Sequence, residues 1–310
     1  PPAGLHSACD MTRYLVTGAA GFIGSHVAEA LLARGDDVVG VDAFTDYYDP
    51  ALKEENARGF PVLRLDLAED ALELDGVEGI FHLAAQPGVR RSFEHFERYV
   101  HCNVLATQRV LEAAAAANAR VVLASSSSIY GDAERFPTPE DAVPRPISPY
   151  GITKLAAEHL ARAYPVDTVT LRYFTVYGPR QRPDMAFARL IDALLEEREF
   201  ELYGETSRAF TYVGDVVEAT IAAMEDAPRG AVYNVGGGEE ATMRDVVTLL
   251  EHVSGREARL VEAPAARGDA RRTSADFRRI RSDIGWEPNT SLADGLEGQW
   301  SWAASRVAAR

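Results

Sequence analysis

Three glycines between a short apolar run and an amphipathic stretch constrain the fold of this chain more than any other feature. In YLVTGAAGFIGSHVAEALL, Gly18, Gly21 and Gly24 separate a strand pattern from a helix pattern. The same rhythm returns in VVGVDAF, GIFHLAA, LATQRVLEAAAAAN, RVVLASSS and LAAEHLARAY. Short apolar runs that alternate with amphipathic stretches predict a parallel sheet with helices on both faces. We therefore expect an α/β fold built on a Rossmann-type, doubly wound parallel sheet.

The second part of the chain follows a looser pattern. From about residue 176, a loop rich in proline and arginine precedes helix patterns near 185–198, 214–226 and 242–254. This pattern predicts a smaller C-terminal substrate-binding lobe at the carboxyl edge of the sheet, where ligands of such folds bind. We expect residues 11–175 plus 210–238 to form the Rossmann domain, and residues 176–209 plus 239–310 to form the lobe. Because Met11 begins a clean strand pattern, residues 1–10 are interpreted as an expression leader.

Composition limits the partners of the chain. The 310 residues are 46% hydrophobic, which is enough for a full core, and the formal net charge is -15. An acidic chain repels nucleic acid and anionic lipid, so neither is expected as a partner, and an anionic ligand must be met by local arginines. Cys9 and Cys102 give neither a disulfide framework nor a zinc spacing, so no metal is expected and a reducing, cytoplasmic setting fits best. No apolar run approaches the roughly 20 residues of a membrane span.

The glycine turn predicts a dinucleotide site. Glycines at this position allow the backbone to approach a pyrophosphate, which then lies at the positive N-terminus of the helix. A second strand, VVGVD, ends at Asp42, 24 residues after Gly18. A carboxylate there accepts ribose hydroxyls and repels a 2'-phosphate, which favours NAD over NADP. Asp66, at the end of VLRLD, is a weaker candidate for the adenine end, and the remaining cofactor contacts are expected from Phe22, Ile23, Leu67, Leu83, Ala84 and Ala85.

A tyrosine and a lysine form the candidate catalytic pair. In SPYGITKLAAEHL, Tyr150 and Lys154 are four residues apart at the start of a helix, so their side chains share one face. An ammonium near a phenol favours the phenolate, so we expect Lys154 to lower the pKa of Tyr150 and make it a general base. The strand ASSSSIYG supplies hydroxyls at Ser126, Ser127 and Ser128.

Together these motifs resemble the extended short-chain dehydrogenase/reductase family, specifically its nucleotide-sugar epimerases, dehydratases and decarboxylases. The resemblance rests on TGAAGFIGSH, HLAAQPGVRRS, SSSSIYG, YxxxK, FTYV and YNVGGG, and it extends from Met11 to about Trp300. It implies bound NAD+, a UDP- or dTDP-sugar substrate, oxidation at C4 and dimerisation through two helices of each subunit. By the same resemblance, Tyr150 takes the C4 hydroxyl proton, Lys154 holds the nicotinamide ribose and Ser127 hydrogen-bonds the reacting oxygen.

The branch of the family depends on the residues after the strand serines. Dehydratases need an Asp-Glu pair there for elimination, and decarboxylases that make UDP-xylose carry a glutamate; this chain has Ser128 and Ile129. Epimerisation remains. In RYFTVYGPRQRPDMAF, Thr175 replaces the asparagine common in UDP-glucose epimerases, and this variant resembles the UDP-glucuronate 4-epimerases, as does DYYDPALK at 46–53. UDP-glucose/UDP-galactose 4-epimerase and UDP-glucuronate decarboxylase are the alternatives within enzymes.

A carboxylate on the sugar would explain why threonine stands at position 175. A 4-keto uronate is a β-keto acid, which loses CO2 when its carboxylate is desolvated and aligned with the ketone. Hydroxyls of Thr175, Ser127 and Ser128 are expected to hold the carboxylate out of that alignment, and Arg182 to supply charge without a transferable proton. The alternative interpretation makes Thr175 an ordinary strand end and Arg180 and Arg182 solvated side chains.

The nucleotide end of the substrate needs further cations. Arg208, with either Arg267 or Arg271, is expected to grip the diphosphate, because a guanidinium binds phosphate bidentately. The remaining expected substrate contacts are Gly88, Arg90 and Asp269. His82 in FHLAA is interpreted as a packed strand histidine. A noncatalytic, cofactor-bound regulator on the same fold is the alternative from another class, but such a protein is expected to lose the Tyr-Lys pair.

Overall fold

The strands follow the expected order along the chain. The computed structural model describes residues 11–204, 206–264, 268 and 270–308, so the interpreted leader, residues 1–10, lies outside the described residues. Within these ranges the strands are β1 (Arg13–Thr17), β2 (Asp37–Asp42), β3 (Val62–Arg64), β4 (Gly79–His82), β5 (Arg120–Ser126), β6 (Thr168–Tyr173), β7 (Thr175–Tyr177), β8 (Glu199–Tyr203), β9 (Ser207–Tyr212), β10 (Val232–Val235), β11 (Glu240–Thr242), β12 (Arg259–Ala263) and β13 (Arg272–Thr273).

The helices fill the connections between the strands. They are α1 (Phe22–Arg34), α2 (Pro50–Asn56), α3 (Phe96–Val100), α4 (Ala106–Ala117), α5 (Pro149–Ala163), α6 (Ala186–Leu195), α7 (Val213–Asp226), α8 (Met243–Ser254), α9 (Arg278–Ile284) and α10 (Leu292–Ala308). A π-helical turn, His101–Leu105, joins α3 to α4, and short 3-10 turns occupy Arg90–Phe93 and Ser127–Ile129. No helix of the described part of the chain is long and apolar enough to cross a membrane.

The expected parallel sheet is present. In the described residues it has seven strands in the order β10-β6-β5-β4-β1-β2-β3, and each neighbouring pair is parallel. Strand order reverses between β1 and β4, which creates the crevice where doubly wound folds bind ligands. Strands such as β4 and β6 are buried along their whole length, because helices cover both faces of the sheet. The fold class inferred from sequence is confirmed.

Two apolar layers sandwich the sheet and a third core lies in the lobe. One layer packs α1 and α7 on the sheet, and the other packs α4 and α5 on the opposite face. The lobe core gathers residues of α6, α8 and α10 around Phe187 and Phe210. Its strands are β11-β9-β13 with β7 beside β9, and a separate β12-β8 pair. Because β9 spans Ser207–Tyr212, the boundary at residue 210 falls inside a strand, and the division into two domains stays a prediction.

Candidate active site

A cavity of about 810 Å³ lies at the carboxyl ends of the central strands and is shared with the lobe. That volume is in the upper part of the range for small-molecule sites, as two ligands side by side would require. Every expected site residue that the structure describes contributes to its wall, whereas Arg267 and Asp269 lie outside the described residues. These lining residues are Gly18, Gly21, Phe22, Ile23, Gly24, Asp42, Asp66, Leu67, Leu83, Ala84, Ala85, Gly88, Arg90, Ser127, Ser128, Tyr150, Lys154, Thr175, Arg182, Arg208 and Arg271.

The glycine turn has the shape that a dinucleotide needs. Gly18 adopts a φ of +69°, and a Cβ on Gly24 would lie 2.2 Å from the Gly18 carbonyl oxygen. The turn before α1 and the first turn of this helix therefore need glycine at positions 18 and 24. Gly21 caps α1 without any side-chain hydrogen bond, and no acidic residue occupies the first turn. Backbone N–H groups therefore remain available at this helix end, where a pyrophosphate is stabilised. The residues present fit NAD at this end of the cavity.

Asp42 stands at the end of β2 with a lysine beside it. Its carboxylate is buried and accepts backbone N–H groups of Ala20 at 3.2 Å and Phe44 at 2.7 Å. The ammonium of Lys53 lies 3.9 Å away and donates to the Thr45 hydroxyl at 3.1 Å. Burial lowers the pKa of Lys53, while the charge of Asp42 opposes that shift. The expected ribose site is thus a carboxylate fixed by two amides and accompanied by a buried cation.

Asp66 makes more hydrogen bonds than its position at the end of a strand suggests. Its carboxylate pairs with the His101 ring at 3.0 Å and accepts the N–H of Ala68 at 3.0 Å. Burial raises the pKa of Asp66, but these hydrogen bonds outweigh burial and hold the pKa below its usual range. Asp66 lines the cavity as an ionised group, and its contact with adenine stays a prediction.

Tyr150 sits near the start of α5, where Pro149 occupies the first turn and Ser148 caps the helix by accepting the Gly151 N–H at 3.1 Å. Burial raises the pKa of the Tyr150 phenol, and a hydrogen bond with Ser126 and the charge of Arg182 only partly offset this. The expectation that Lys154 lowers this pKa is wrong for this structure. The groups that favour the phenolate are a serine and an arginine from other elements.

Lys154 explains that difference by its own contacts. It is 5% exposed, and its ammonium donates to the Ala124 carbonyl at 2.8 Å. Burial lowers the pKa of Lys154 to about 8, although Glu158 one turn further along α5 raises it. Two guanidinium nitrogens of Arg172, Nε and Nη2, donate to the Glu158 carboxylate at 2.9 and 2.8 Å. The lysine is therefore anchored to β5 and remains part of the cavity wall.

The strand serines differ in what they contact. Ser126, the last residue of β5, is the serine whose hydroxyl lowers the pKa of the Tyr150 phenol, and its hydroxyl oxygen accepts the Ser128 N–H at 3.2 Å. Ser127 begins the following 3-10 turn and lines the cavity. The role expected of Ser127 stays a prediction, and the effect of Ser126 on the pKa of Tyr150 makes Ser126 a second candidate for a hydrogen bond to the reacting oxygen.

His82 is a packed strand histidine, as expected from its sequence context. Its ring nitrogens meet the hydroxyls of Thr17 at 2.8 Å and Thr107 at 3.0 Å. Because Thr107 gives its proton to the Asn103 carbonyl at 2.8 Å, Nε2–H of His82 donates to Thr107 and Nδ1 accepts from Thr17. Burial lowers the pKa of His82 to about 3, so the ring stays neutral.

The loops that cover the sugar end bring the expected substrate residues together. Thr175 begins β7, next to the end of β6, and Arg182 follows on the loop after β7. Arg182 pairs with Asp184, with both distances at 3.0 Å, so it is not a solvated side chain. On the lobe side, Arg208 lies on β9 and Arg271 just before β13, where its N–H donates to Asp132 at 3.2 Å.

Sequence reasoning missed several residues of the site. The only sequence feature that points to Lys53 is the rarity of lysine, because the chain has just two lysines and both line this cavity. Asn103, in the π-helical turn, accepts the Gln86 N–H at 2.7 Å and donates to Thr153 at 3.0 Å, and Thr153 in turn donates to the Tyr150 carbonyl at 2.8 Å. A polar residue on the buried face of an apolar helix is the sequence feature that could have identified Asn103. π-Helical turns of this kind occur frequently at functional sites.

A Rossmann-type sheet, a phosphate-binding glycine turn and a Tyr-Lys pair around one cavity define an enzyme of the short-chain dehydrogenase/reductase type. Residues 14–236 match the profile of the NAD dependent epimerase/dehydratase family. The chain is 41% identical over 312 residues to a Bacillus subtilis (strain 168) protein named uncharacterized UDP-glucose epimerase YtcB, covering 94% of this chain and 98% of that protein. The chain belongs to the NAD dependent epimerase/dehydratase family.

Solved structures with ligands are also similar. The UDP-glucuronic acid 4-epimerase from Bacillus cereus, in complex with UDP-glucuronic acid and NAD, is 39% identical with a TM-score of 0.92, over 95% of this chain and 100% of that one. MoeE5, in complex with UDP-glucuronic acid and NAD, is 43% identical with a TM-score of 0.86, over 95% and 99%. A second MoeE5 complex contains UDP-glucose and NAD.

Proposed function

We propose that this chain is an NAD-dependent UDP-glucuronate 4-epimerase, which interconverts UDP-glucuronate and UDP-galacturonate through a transient 4-keto sugar. The observation that carries the proposal is that Thr175 and Arg182 share one cavity wall with Tyr150 and Lys154. Hydroxyl and guanidinium donors suited to a carboxylate thus stand beside the groups suited to C4 chemistry. The Bacillus cereus structure, similar along nearly the whole chain, supports both the sugar and the cofactor.

The proposed chemistry begins and ends at Tyr150. Bound NAD+ supplies a hydride acceptor at C4 and returns the same hydride to the opposite face of the sugar. Tyr150 takes the C4 hydroxyl proton during oxidation and gives it back during reduction, and Ser126 or Ser127 holds the reacting oxygen. Arg182 and the Ser126 hydroxyl lower the cost of the phenolate against the desolvation that the closed cavity imposes. Lys154, fixed to the Ala124 carbonyl, binds the nicotinamide ribose.

The carboxylate must survive while the neighbouring carbon is a ketone. Thr175, Ser127 and Ser128 offer short hydroxyl donors from β7 and from the turn after β5. Hydrogen bonds keep the carboxylate solvated by protein and away from the alignment that releases CO2. Rotation of the 4-keto sugar then exposes its other face. Arg90, Arg208 and Arg271 hold the nucleotide end in place during this rotation.

We also propose a cytoplasmic homodimer. Cys102 is a free thiol in the described part of the chain, which suits a reducing compartment. Leu105 at the π-helical turn and Ile152 on α5 are 43% and 50% exposed, and they place apolar surface on neighbouring helices. A second copy of this chain is the occupant that would cover them. Light scattering of the purified protein tests this assembly, and Ile152→Glu should shift a dimer toward monomer without touching the cavity.

Deuterium at C4 tests the proposed reaction. With [4-²H]UDP-glucuronate, the label should remain at C4 of UDP-galacturonate, because the same hydride leaves and returns. Free NADH should not accumulate. Tyr150→Phe is the matched control and should give no product. Loss of the label to solvent water would contradict the hydride route.

UDP-glucose epimerisation is the second candidate. It is favoured by the name of the Bacillus subtilis relative and by the MoeE5 complex with UDP-glucose. Thr175 and the paired Arg182 favour the uronate instead. Parallel assays with UDP-glucose and UDP-glucuronate separate the two candidates directly.

A further inference from the structure

Arg182 is held along one edge of its guanidinium group. Its Nε donates to Asp184 Oδ1 at 3.0 Å and its Nη2 to Asp184 Oδ2 at 3.0 Å, which is a side-on bidentate pair. A guanidinium has five N–H donors, and this pair uses two of them. The opposite edge, formed by Nη1 and the second N–H of Nη2, makes no hydrogen bond to any residue that the structure describes. A second carboxylate can therefore bind end-on to the same arginine.

Tyr47 adds a hydrogen bond to the same carboxylate. Its hydroxyl donates to Asp184 Oδ2 at 3.2 Å, and its ring centroid lies 6.0 Å from the Arg182 guanidinium. Gly88 lies against this tyrosine in a left-handed conformation, with a φ of +96°, and a Cβ there would lie 2.1 Å from the Tyr47 hydroxyl oxygen. Tyr47 lies on the segment after β2, whereas Asp184 and Arg182 lie on the loop after β7. The contact thus joins the cofactor side of the cavity to the substrate side.

We propose that Tyr47 and Asp184 are positioning residues that aim the free edge of Arg182 at the sugar carboxylate, and that they thereby set the preference for a uronate over a neutral hexose. This inference rests on the proposed function. Arg182 and Asp184 together carry no net charge, so the preference comes from the orientation of N–H donors and not from a positive field. A neutral hydroxymethyl group gains little from the same edge, because it offers one oxygen where a carboxylate offers two.

Ligand binding measures this orientation without turnover. In an NAD-loaded Tyr150→Phe background, titration calorimetry gives the Kd of UDP-glucuronate and of UDP-glucose. Tyr47→Phe keeps the ring and removes the hydroxyl; it should weaken UDP-glucuronate about three- to tenfold and UDP-glucose less than about twofold, the effect of one hydrogen bond.

The control is Tyr164→Phe. Tyr164 donates its hydroxyl to Glu112 at 3.2 Å on the exposed face of the helical layer, away from the cavity. Tyr164→Phe should change neither the Kd of UDP-glucuronate nor the Kd of UDP-glucose. Equal weakening of both ligands by Tyr47→Phe, or no weakening of either, would overturn the inference.

Wild-type turnover separates this inference from the proposed function. An enzyme that does not convert UDP-glucuronate at all removes the proposed function and the inference with it. An enzyme that converts UDP-glucuronate, together with a Tyr47→Phe variant that keeps the wild-type ratio of the two Kd values, overturns the inference alone. Conversion together with a selective loss of UDP-glucuronate binding supports both.

Discussion

Replacement of Lys154 by methionine should remove a specific pH dependence of stability. The pKa of Lys154 falls from 10.5 to about 8 because the folded chain buries the ammonium. Below about pH 8 the lysine is protonated in both states, so the desolvation cost is fully present and lowers the free energy of unfolding. As the pH rises from about 8 toward 10.5, the unfolded chain holds more protons than the folded chain, so stability rises. The sign is therefore a gain with increasing pH.

The size of the gain follows from the two pKa values. Between about pH 7 and about pH 9.5, the Lys154 contribution to the free energy of unfolding should rise by about 2 kcal/mol, at about 1.4 kcal/mol for each unit of pKa difference. Lys154→Met lacks this rise, and methionine fits a buried position of similar length. The chain has only one other lysine, Lys53, so few groups of this kind titrate in the same window.

Urea unfolding of both proteins at the two pH values provides the measurement. Shared contributions from tyrosines and Cys102 cancel in the difference between wild type and variant. From about pH 7 to about pH 9.5, the free energy of unfolding of the wild type should rise by about 2 kcal/mol relative to that of the variant. A difference that stays constant would mean that Lys154 titrates alike in both states, and the anchored, desolvated lysine described above would be refuted.

Three further predictions concern the cofactor turn, the serines and the packed histidine. Gly24→Ala places a Cβ 2.2 Å from a backbone carbonyl of the turn, so it should cost about 1–3 kcal/mol and abolish NAD binding, as measured by nucleotide released on denaturation; Gly59→Ala, with nothing within 4 Å, is the silent control. Ser126→Ala should lower kcat by about tenfold and Ser127→Ala by less, because Ser126 is the serine that lowers the pKa of the Tyr150 phenol; the reverse order would restore Ser127 as the serine that serves the reacting oxygen. His82→Gln should reduce the loss of stability between about pH 7 and about pH 5 by about 2 kcal/mol, because only the unfolded wild type protonates this histidine there; an unchanged slope in urea unfolding would contradict its buried, neutral state.

The central fold was readable from sequence because its strands are buried on both faces. Runs such as GIFH and TVTLRY are buried along their whole length, and helix patterns such as FIGSHVAEALLAR and PYGITKLAAEHLARA alternate with the strand runs. That local pattern determines a parallel, helix-covered sheet. The β12-β8 pair was not readable, because Arg259–Ala263 is largely exposed and its partner lies about sixty residues earlier in the chain. Pairing between distant, weakly patterned strands leaves no local signal.

The sequence likewise predicted some features of the candidate site and not others. The Tyr150 and Lys154 spacing predicted one shared helix face, and both side chains line the cavity. Spacing does not reveal which acceptor an ammonium finds, however, and the Ala124 carbonyl belongs to another element. The same limit applies to Asp184, which holds Arg182 through side-chain geometry within one loop. Residue identity predicts the chemistry of a group, whereas its partners depend on tertiary structure.

Proton NMR of the purified, NAD-loaded protein with UDP-glucuronate, and separately with UDP-glucose, tests the central claim most directly. We expect UDP-glucuronate to be converted to UDP-galacturonate, without UDP-xylose or a 4-keto pentose, and UDP-glucose to be inert. Turnover of UDP-glucose with UDP-glucuronate unchanged would contradict the assignment of Thr175 and Arg182 to a carboxylate, and release of a decarboxylated product would contradict its protection.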